Sequence, residues 1–157
     1  MQIIRKARHE DLDTILQLVG QAGLETEGIA ENVDHFLIME KETDRTTTNE
    51  ESLIAVVGFE LQKQNALLRS FVMNDKSNQF NILEIVQAIL DYSNKNGLKK
   101  LFLCTKKQPS VKLFQMLGFQ LAEETPAELK SFSHYQNIYR EKPYIMYYEN
   151  PQSYPLF

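Results

Sequence analysis

The sequence is poor in cysteine and has no long apolar run. Cys104 is the single cysteine among 157 residues, so an internal disulfide is excluded and the fold does not depend on an oxidising compartment. Because Cys104 lies in an apolar stretch, we interpret it as a buried small hydrophobe rather than a nucleophile. No stretch is long and apolar enough to span a bilayer, and the N-terminus lacks the layout of a secretory signal. We therefore expect a cytoplasmic protein with no membrane partner.

Basic residues are also in the minority. Lys and Arg number 17 against 21 Asp and Glu, which gives a formal net charge of −4. Such a chain has no general attraction for nucleic acid. The histidines His9, His35 and His134 lack the spacing of metal ligands. The sequence therefore predicts no metal and no nucleic-acid partner, and a small-molecule substrate is the better starting expectation.

The residues that are present have the composition of one globular domain. Hydrophobic residues make up 43% and charged residues 24% of the chain, a balance typical of soluble proteins. A chain of this length buries a sizeable core in a single domain, which we place at 1–157. The oligomeric state is left open, and a homodimer is one alternative.

The periodicity of apolar residues predicts an α/β (α+β) fold. Alternation and helical spacing give the order β-α-α-β-β-β-α-β-α-β, then a connector and a last strand. We expect a mixed, mostly antiparallel twisted sheet of about seven strands with helices on both faces, splayed between two central strands. The predicted strands are 1–8, 36–39, 53–61, 66–73, 98–105, 119–123 and 144–149, and a polar loop is predicted at 41–52.

The helix that follows the fourth strand has a recognisable start. After a loop at 74–80, apolar residues repeat at helical spacing from Ile82. Asn81 is the candidate N-cap, with Glu84 three residues further on as in a capping box. Gly97 ends the predicted helix.

Several segments resemble the GNAT superfamily of N-acetyltransferases. The resemblance rests on the order of elements, on LLRSFVM at 67–73 and on LGF at 117–119. A closer likeness is to the GNAT subgroup encoded in arsenic-resistance operons, and the whole likeness covers roughly residues 3–149. It implies transfer of an acetyl group from acetyl-CoA, as cosubstrate, to the primary amine of a small, amino-acid-like molecule. The segments shared with the subgroup are AGL at 22–24, FELQKQNALLRS at 59–70, LFLCT at 101–105, FxxLGF at 114–119 and the tail at 125–148.

The resemblance also implies where the coenzyme binds. Backbone atoms of Val72 and Met73 would face the pantetheine arm, and the start of the next helix would face the pyrophosphate. The family has two small residues in that loop, whereas Phe80 and Ile82 stand in those places, and Glu84 adds negative charge. We expect weakened coenzyme binding, and a polar loop with a helix cap is the alternative interpretation. The loop residues concerned are Ser77, Asn78, Gln79, Phe80, Asn81 and Ile82.

Two charged residues in otherwise apolar strands are the candidate catalytic residues. Glu60 would act as the general base, and Arg69 would hold a carboxylate of the acceptor. A structural ion pair between Glu60 and Arg69 is the alternative. Many GNAT members have a tyrosine as general acid where this chain has Phe114. The competing functional hypothesis is a catalytically impaired GNAT-fold binding or regulatory protein.

Overall fold

A computed structural model describes residues 2–41, 52–75 and 77–151. Most of the predicted loop 41–52 lies outside the described residues, and so does Lys76. In the described part of the chain, no helix combines the length and apolarity that crossing a membrane requires.

The helices are α1 (Leu12–Gln21), α2 (Gln79–Lys95), α3 (Gln108–Met116) and α4 (Ser133–Ile138). The strands are β1 (Gln2–Lys6), β2 (Phe36–Lys41), β3 (Leu53–Gln62), β4 (Asn65–Met73), β5 (Lys100–Thr105), β6 (Gln120–Leu121) and β7 (Tyr144–Glu149).

The strands form one seven-stranded sheet in the order β1-β2-β3-β4-β5-β7-β6. The pairs β1–β2, β2–β3, β5–β7 and β6–β7 are antiparallel, whereas β4 and β5 are parallel. Parallel neighbours need a long crossover, which α2 supplies between them in the sequence. The ladder between β4 and β5 joins Asn65–Leu67 to Lys100–Phe102. The predicted mixed, mostly antiparallel sheet is confirmed.

The first compact unit comprises Met1–Glu60 and Leu68–Ile89. Its core packs the apolar face of α1, including the fully buried Ile15 and Val19, with residues of β2 and β3. Gly58 fits this core because it has no side chain: a Cβ there would lie 2.3 Å from the ring of Phe36. The helical spacing read from the sequence therefore marks the buried face of α1.

A hydrogen-bonded ion cluster stabilises β1 in this unit. The two terminal nitrogens of Arg5 donate to the two carboxylate oxygens of Asp11 at 2.9 and 3.1 Å, and Arg5 Nε donates to Glu40 at 2.8 Å. The backbone N–H of Arg8 also donates to Asp11 at 2.7 Å. Asp11 is only 4% exposed. Burial alone would raise the pKa of Asp11, but the bonds from Arg5 and Arg8 outweigh it and hold that pKa below its usual value.

The second compact unit comprises Leu61–Leu67 and Leu90–Phe157. In its core Phe102 meets Phe132 edge to face at 6.3 Å. Cys104 packs at the margin of this core, and burial raises the pKa of its thiol to about 12. A thiol with that pKa stays protonated at neutral pH, which agrees with its interpretation as a small hydrophobe.

Some boundaries differ from the sequence prediction. The second helix of the predicted order is a 3-10 turn at Ala30–His35. The side-chain amide of Asn32 donates to the carbonyl of Gly28 at 2.8 Å, and such side-chain bonds compete with regular helix formation. The predicted connector before the last strand contains a 3-10 turn, Ala127–Ser131, followed by α4.

Candidate active site

The first unit contains every residue that the sequence analysis assigned to catalysis or coenzyme binding. Glu60 lies near the end of β3, and Arg69 lies in the middle of β4. The proposed coenzyme residues follow from the end of β4 into the first turn of α2. They are Val72, Met73, Ser77, Asn78, Gln79, Phe80, Asn81 and Ile82.

Arg69 is a buried cation, only 5% exposed. Its Nε donates to the hydroxyl of Ser70 at 3.0 Å, and its Nη2 donates to the backbone carbonyl of Glu25 at 3.1 Å. Burial lowers the pKa of Arg69 from its ordinary value, and the negative charge of Glu60 is the strongest of the effects that oppose this shift. Because a buried charge is costly unless it is compensated, Arg69 depends on the groups around it.

Three carboxylates influence the guanidinium. Glu60 has the largest electrostatic effect on Arg69, followed by Glu25 and Glu31. Glu60 and Glu25 are partly buried, whereas Glu31 is exposed. Three carboxylates around one guanidinium leave an excess of negative charge. Such a cluster attracts a cationic amine, and the guanidinium offers donors for a carboxylate on the same molecule.

The loop before the 3-10 turn packs closely against Arg69. Gly28 has a left-handed backbone, with φ +87°, and a Cβ on it would lie 3.0 Å from Arg69 Nη1. Among the described residues, Nη1 has no hydrogen-bond acceptor in the protein. The backbone of Gly28 thus lies so close to this donor that a residue without a side chain fits best there.

Ser70 adopts a backbone conformation that is unusual for a strand. Its φ is +56°, which costs a residue with a side chain about 1–2 kcal/mol. Ser70 is buried next to the buried Arg69. Such backbone outliers occur preferentially at bulges and functional sites.

The connection from β4 to α2 is held by its own hydrogen bonds. The backbone N–H of Asn74 donates to the carbonyl of Ile54 at 2.8 Å, and its side-chain amide donates to the carbonyl of Leu53 at 2.5 Å. The hydroxyl of Ser77 donates to the carbonyl of Asn74 at 2.8 Å. These bonds fix the connection to β3 and set where α2 begins.

The first turn of α2 has a reciprocal cap. The backbone N–H of Asn81 donates to Oδ1 of Asn78 at 3.0 Å, and the backbone N–H of Asn78 donates to Oδ1 of Asn81 at 2.9 Å. The helix begins at Gln79, so the cap residue is Asn78 and the prediction of Asn81 as N-cap is wrong. Asn81 is instead the third helical residue, the position that Glu or Gln occupies in a capping box.

The sequence analysis missed three parts of this site. It did not foresee the carbonyl of Glu25 or the close approach of Gly28, because both come from a loop more than 40 residues from Arg69 in the chain. It also missed the left-handed Ser70, since serine carries no signal for that conformation. The glycine in ETEG at 25–28 was the one available hint.

Replacing Gly28 by alanine tests whether this close approach matters to Arg69. We expect Gly28→Ala to destabilise the protein by about 2 kcal/mol, from backbone strain plus crowding of Arg69. Gly23→Ala is the matched control, because Gly23 also has positive φ, +75°, but no atom lies within 4 Å of its added Cβ. Urea denaturation of both variants measures the difference, and equal losses would show that Arg69 is not crowded.

Among the described residues, no group of three or more His, Cys, Asp or Glu side chains is arranged to hold a metal. No known protein-family model matches the chain. An uncharacterised Bacillus subtilis protein, YwlB, is 29% identical over 133 residues, which cover 84% of this chain and 86% of that protein.

Solved structures resemble the chain over nearly its whole length. N-acetylglutamate synthase from Neisseria gonorrhoeae, complexed with coenzyme A and N-acetyl-glutamate, matches 97% of this chain with a TM-score of 0.74 and 16% identity. The chain spans 36% of the length of that enzyme. Rv2747 from Mycobacterium tuberculosis, in complex with CoA and NLQ, has a TM-score of 0.71 and 18% identity over 94% of this chain and 98% of its own. An acetyltransferase of the GNAT family from Staphylococcus aureus Mu50 has a TM-score of 0.71 and 10% identity over 96% of this chain and all of its own. The chain therefore has the fold of the GNAT acetyltransferases.

Proposed function

We propose that the chain transfers an acetyl group from acetyl-CoA to the primary amine of a small, amino-acid-like molecule. The observation that carries the proposal is the buried guanidinium of Arg69 in the field of three carboxylates. The fold supports it, as do the CoA-bound neighbours from Neisseria and Mycobacterium, the first of which also holds N-acetyl-glutamate. The likeness to the arsenic-resistance-operon subgroup is part of the proposal, and the cytoplasmic location stays a prediction.

The charges of the site suit a zwitterionic acceptor. The ammonium group of such a molecule is attracted by Glu60, Glu25 and Glu31, whose charges together exceed that of Arg69. Its carboxylate would accept hydrogen bonds from Nη1 of Arg69, whereas Nε and Nη2 already donate within the protein. A bond to an ionised donor and acceptor is about twice as strong as a neutral one, so the carboxylate would orient the amine.

The transfer needs a base, and Glu60 is the proposed one. The amine nitrogen forms a bond to the thioester carbonyl carbon, the carbon–sulfur bond breaks, and CoA leaves as the thiolate. The nitrogen gives up two protons in all: one reaches solvent through Glu60, and the other ends on the sulfur. Phe114 has no proton to give, and it is buried against Phe119 at 5.2 Å. Water is therefore expected to relay this proton to the sulfur.

The acetyl donor is proposed to contact the end of β4 and the segment after it. Val72 and Met73 offer backbone donors and acceptors to the pantetheine arm, which any strand end can supply. The segment 77–82 lies beside them in the chain, with Phe80 strongly exposed on the first turn of α2. We expect acetyl-CoA to bind more weakly than it would to a glycine-rich loop, because bulky side chains limit close backbone approach.

A second candidate function is a GNAT-fold binding or regulatory protein without catalysis. The observations that favour it are the capped start of α2 and the phenylalanine at position 114. A calorimetric titration with acetyl-CoA separates the two functions in part, since a protein that has lost the donor site takes up no heat and gains no thermal stability.

The acetyl-transfer proposal is tested with pairs of acceptors. Purified protein is incubated with acetyl-CoA and either an amino acid or the matching amine without a carboxylate, and release of the CoA thiol is followed. We expect turnover with the amino acid, and Arg69→Lys should raise its KM about tenfold because the planar fork is lost. The amine without a carboxylate serves as the control, since Arg69→Lys should leave its KM unchanged. Lack of turnover with every amino acid tried, despite bound acetyl-CoA, would contradict the proposal.

A further inference from the structure

The start of α2 is the place where the fold offers backbone N–H groups to a pyrophosphate. The first N–H groups of a helix have no partner within the helix, and they carry partial positive charge. A helix start holds an anion well when these groups are free and when the backbone is closely approachable. In this chain, neither condition is fully met.

Three backbone N–H groups at the start of α2, those of Ser77, Asn78 and Asn81, are occupied, whereas those of Gln79 and Phe80 have no acceptor within the helix. Asn81 N–H is bonded to the side chain of Asn78, and Ser77 N–H is bonded at 3.2 Å to the carbonyl of Asn74. The side chain of Asn81 in turn holds the backbone of Asn78, and Asn81 is only 3% exposed, so burial fixes it in place. A neutral amide oxygen thus already accepts from one of the N–H groups that an anion at this helix start would use.

Large apolar side chains and negative charge around this turn also oppose pyrophosphate binding. Phe80 is 74% exposed and Leu83 is 52% exposed, so two large apolar side chains stand on the surface of the first turn. Glu84 and Asp75 are both exposed and add negative charge nearby. The sequence has no lysine or arginine from 77 to 94, and Lys76 lies outside the described residues. Each of these features opposes binding of a doubly charged pyrophosphate.

We propose that the protein recognises its acyl donor by the pantetheine arm, and that the nucleotide and pyrophosphate of CoA contribute little. This inference rests on the proposed function. The arm is uncharged and pairs through amides, which the backbone at Val72 and Met73 can match without any helix start. The substrate class is then acyl-pantetheine thioesters in general, of which acetyl-CoA is one member.

The test compares acetyl-CoA with acetyl-pantetheine, which lacks the nucleotide and the pyrophosphate. In the unmodified protein we expect the two values of kcat/KM to differ by less than tenfold. Asn78→Gly removes the capping oxygen and frees the N–H of Asn81, and glycine is itself a tolerated cap residue. We expect this variant to favour acetyl-CoA at least fivefold more than the unmodified protein does.

Asn96→Gly is the matched control for that variant. Asn96 is an exposed residue just beyond the other end of α2, where its side chain bonds to the carbonyl of Tyr92. Its replacement removes the same side chain and should leave the preference unchanged. Melting temperatures of both variants confirm that each is folded.

The outcomes separate this inference from the proposed function. A preference for acetyl-CoA above tenfold in the unmodified protein, or an unchanged preference in Asn78→Gly, overturns the inference while acetyl transfer stands. If neither thioester is turned over, the proposed function fails, and calorimetry with CoA and pantetheine then decides the inference alone. Affinities within tenfold of each other support it, whereas tighter binding of CoA by more than that factor, or binding of neither, overturns it.

Discussion

Glu60→Gln is expected to lower turnover at neutral pH about 100-fold, the usual contribution of a positioned general base. Glutamine keeps the shape of the side chain but cannot accept the proton that the ammonium group must lose. Affinity for acetyl-CoA should stay near its original value, because Glu60 lies in β3 and not among the proposed donor contacts. Steady-state kinetics with the best acceptor, together with calorimetry, measure both quantities.

Glu60 also acts on Arg69 through its charge, so the loss of turnover needs a control for this effect. Glu31→Gln removes another carboxylate that influences Arg69, from an exposed position. We expect this variant to keep kcat within about threefold of normal and to change mainly the KM of the acceptor, because Glu31 attracts the ammonium group from an exposed position but takes no proton from it. Glu60→Asp keeps a basic carboxylate and should recover part of the activity. Equal turnover in Glu60→Gln and the unmodified protein would remove Glu60 from the mechanism.

The second prediction with a large expected effect concerns the free energy of unfolding. Asp11→Asn is expected to lower the free energy of unfolding by about 3 kcal/mol at pH 7, because it removes the more deeply buried of the two carboxylates that pair with Arg5 and leaves Glu40 as its one remaining ion-pair partner among the described residues. The two oxygens of Asp11 receive three hydrogen bonds, from Arg5 and Arg8. Urea denaturation of the unmodified protein and the variant measures the difference.

The pH dependence of that difference follows from the lowered pKa of Asp11. A carboxylate with a depressed pKa in the folded state adds stability that is present above its unfolded pKa and is lost as the pH falls through its folded pKa. The gap between the two proteins should therefore be full at neutral pH and shrink below about pH 4. A gap that stays constant down to pH 2 would contradict this explanation.

An exposed ion pair provides the comparison for Asp11. Lys106 and Glu141 are 2.8 Å apart, but both side chains are at least half exposed. Glu141→Gln should cost less than about 1 kcal/mol, since exposed pairs are screened by solvent. A loss as large as that of Asp11→Asn would show that burial is not the cause of the difference.

Local patterns in the sequence were enough to predict most elements of the fold. Apolar residues of α1 recur at helical spacing, and Ile15 and Val19 are fully buried. The hairpin of β3 and β4 and the crossover through α2 follow from apolar runs and short polar turns. These features depend on residues close together in the chain, so a linear pattern suffices to predict them.

The start of α2 shows the limit of local patterns. Asn78 and Asn81 are equally good capping residues by type, and the sequence analysis chose the wrong one. The bonds of Asn74 to β3 decide between them, because they determine where the chain leaves the strand. Those bonds join residues about 20 positions apart, and no local pattern encodes them.

The sequence by itself determined which elements form and which charged residues stand out in apolar strands, because periodicity and residue type are local properties. The tertiary structure alone decided what surrounds those charges. Arg69 is buried beneath a loop whose carbonyl and glycine lie more than 40 residues away, and its backbone neighbour Ser70 has a conformation that serine does not signal. Burial and electrostatic field are properties of all the atoms packed around a group, so they exist only once the chain has folded.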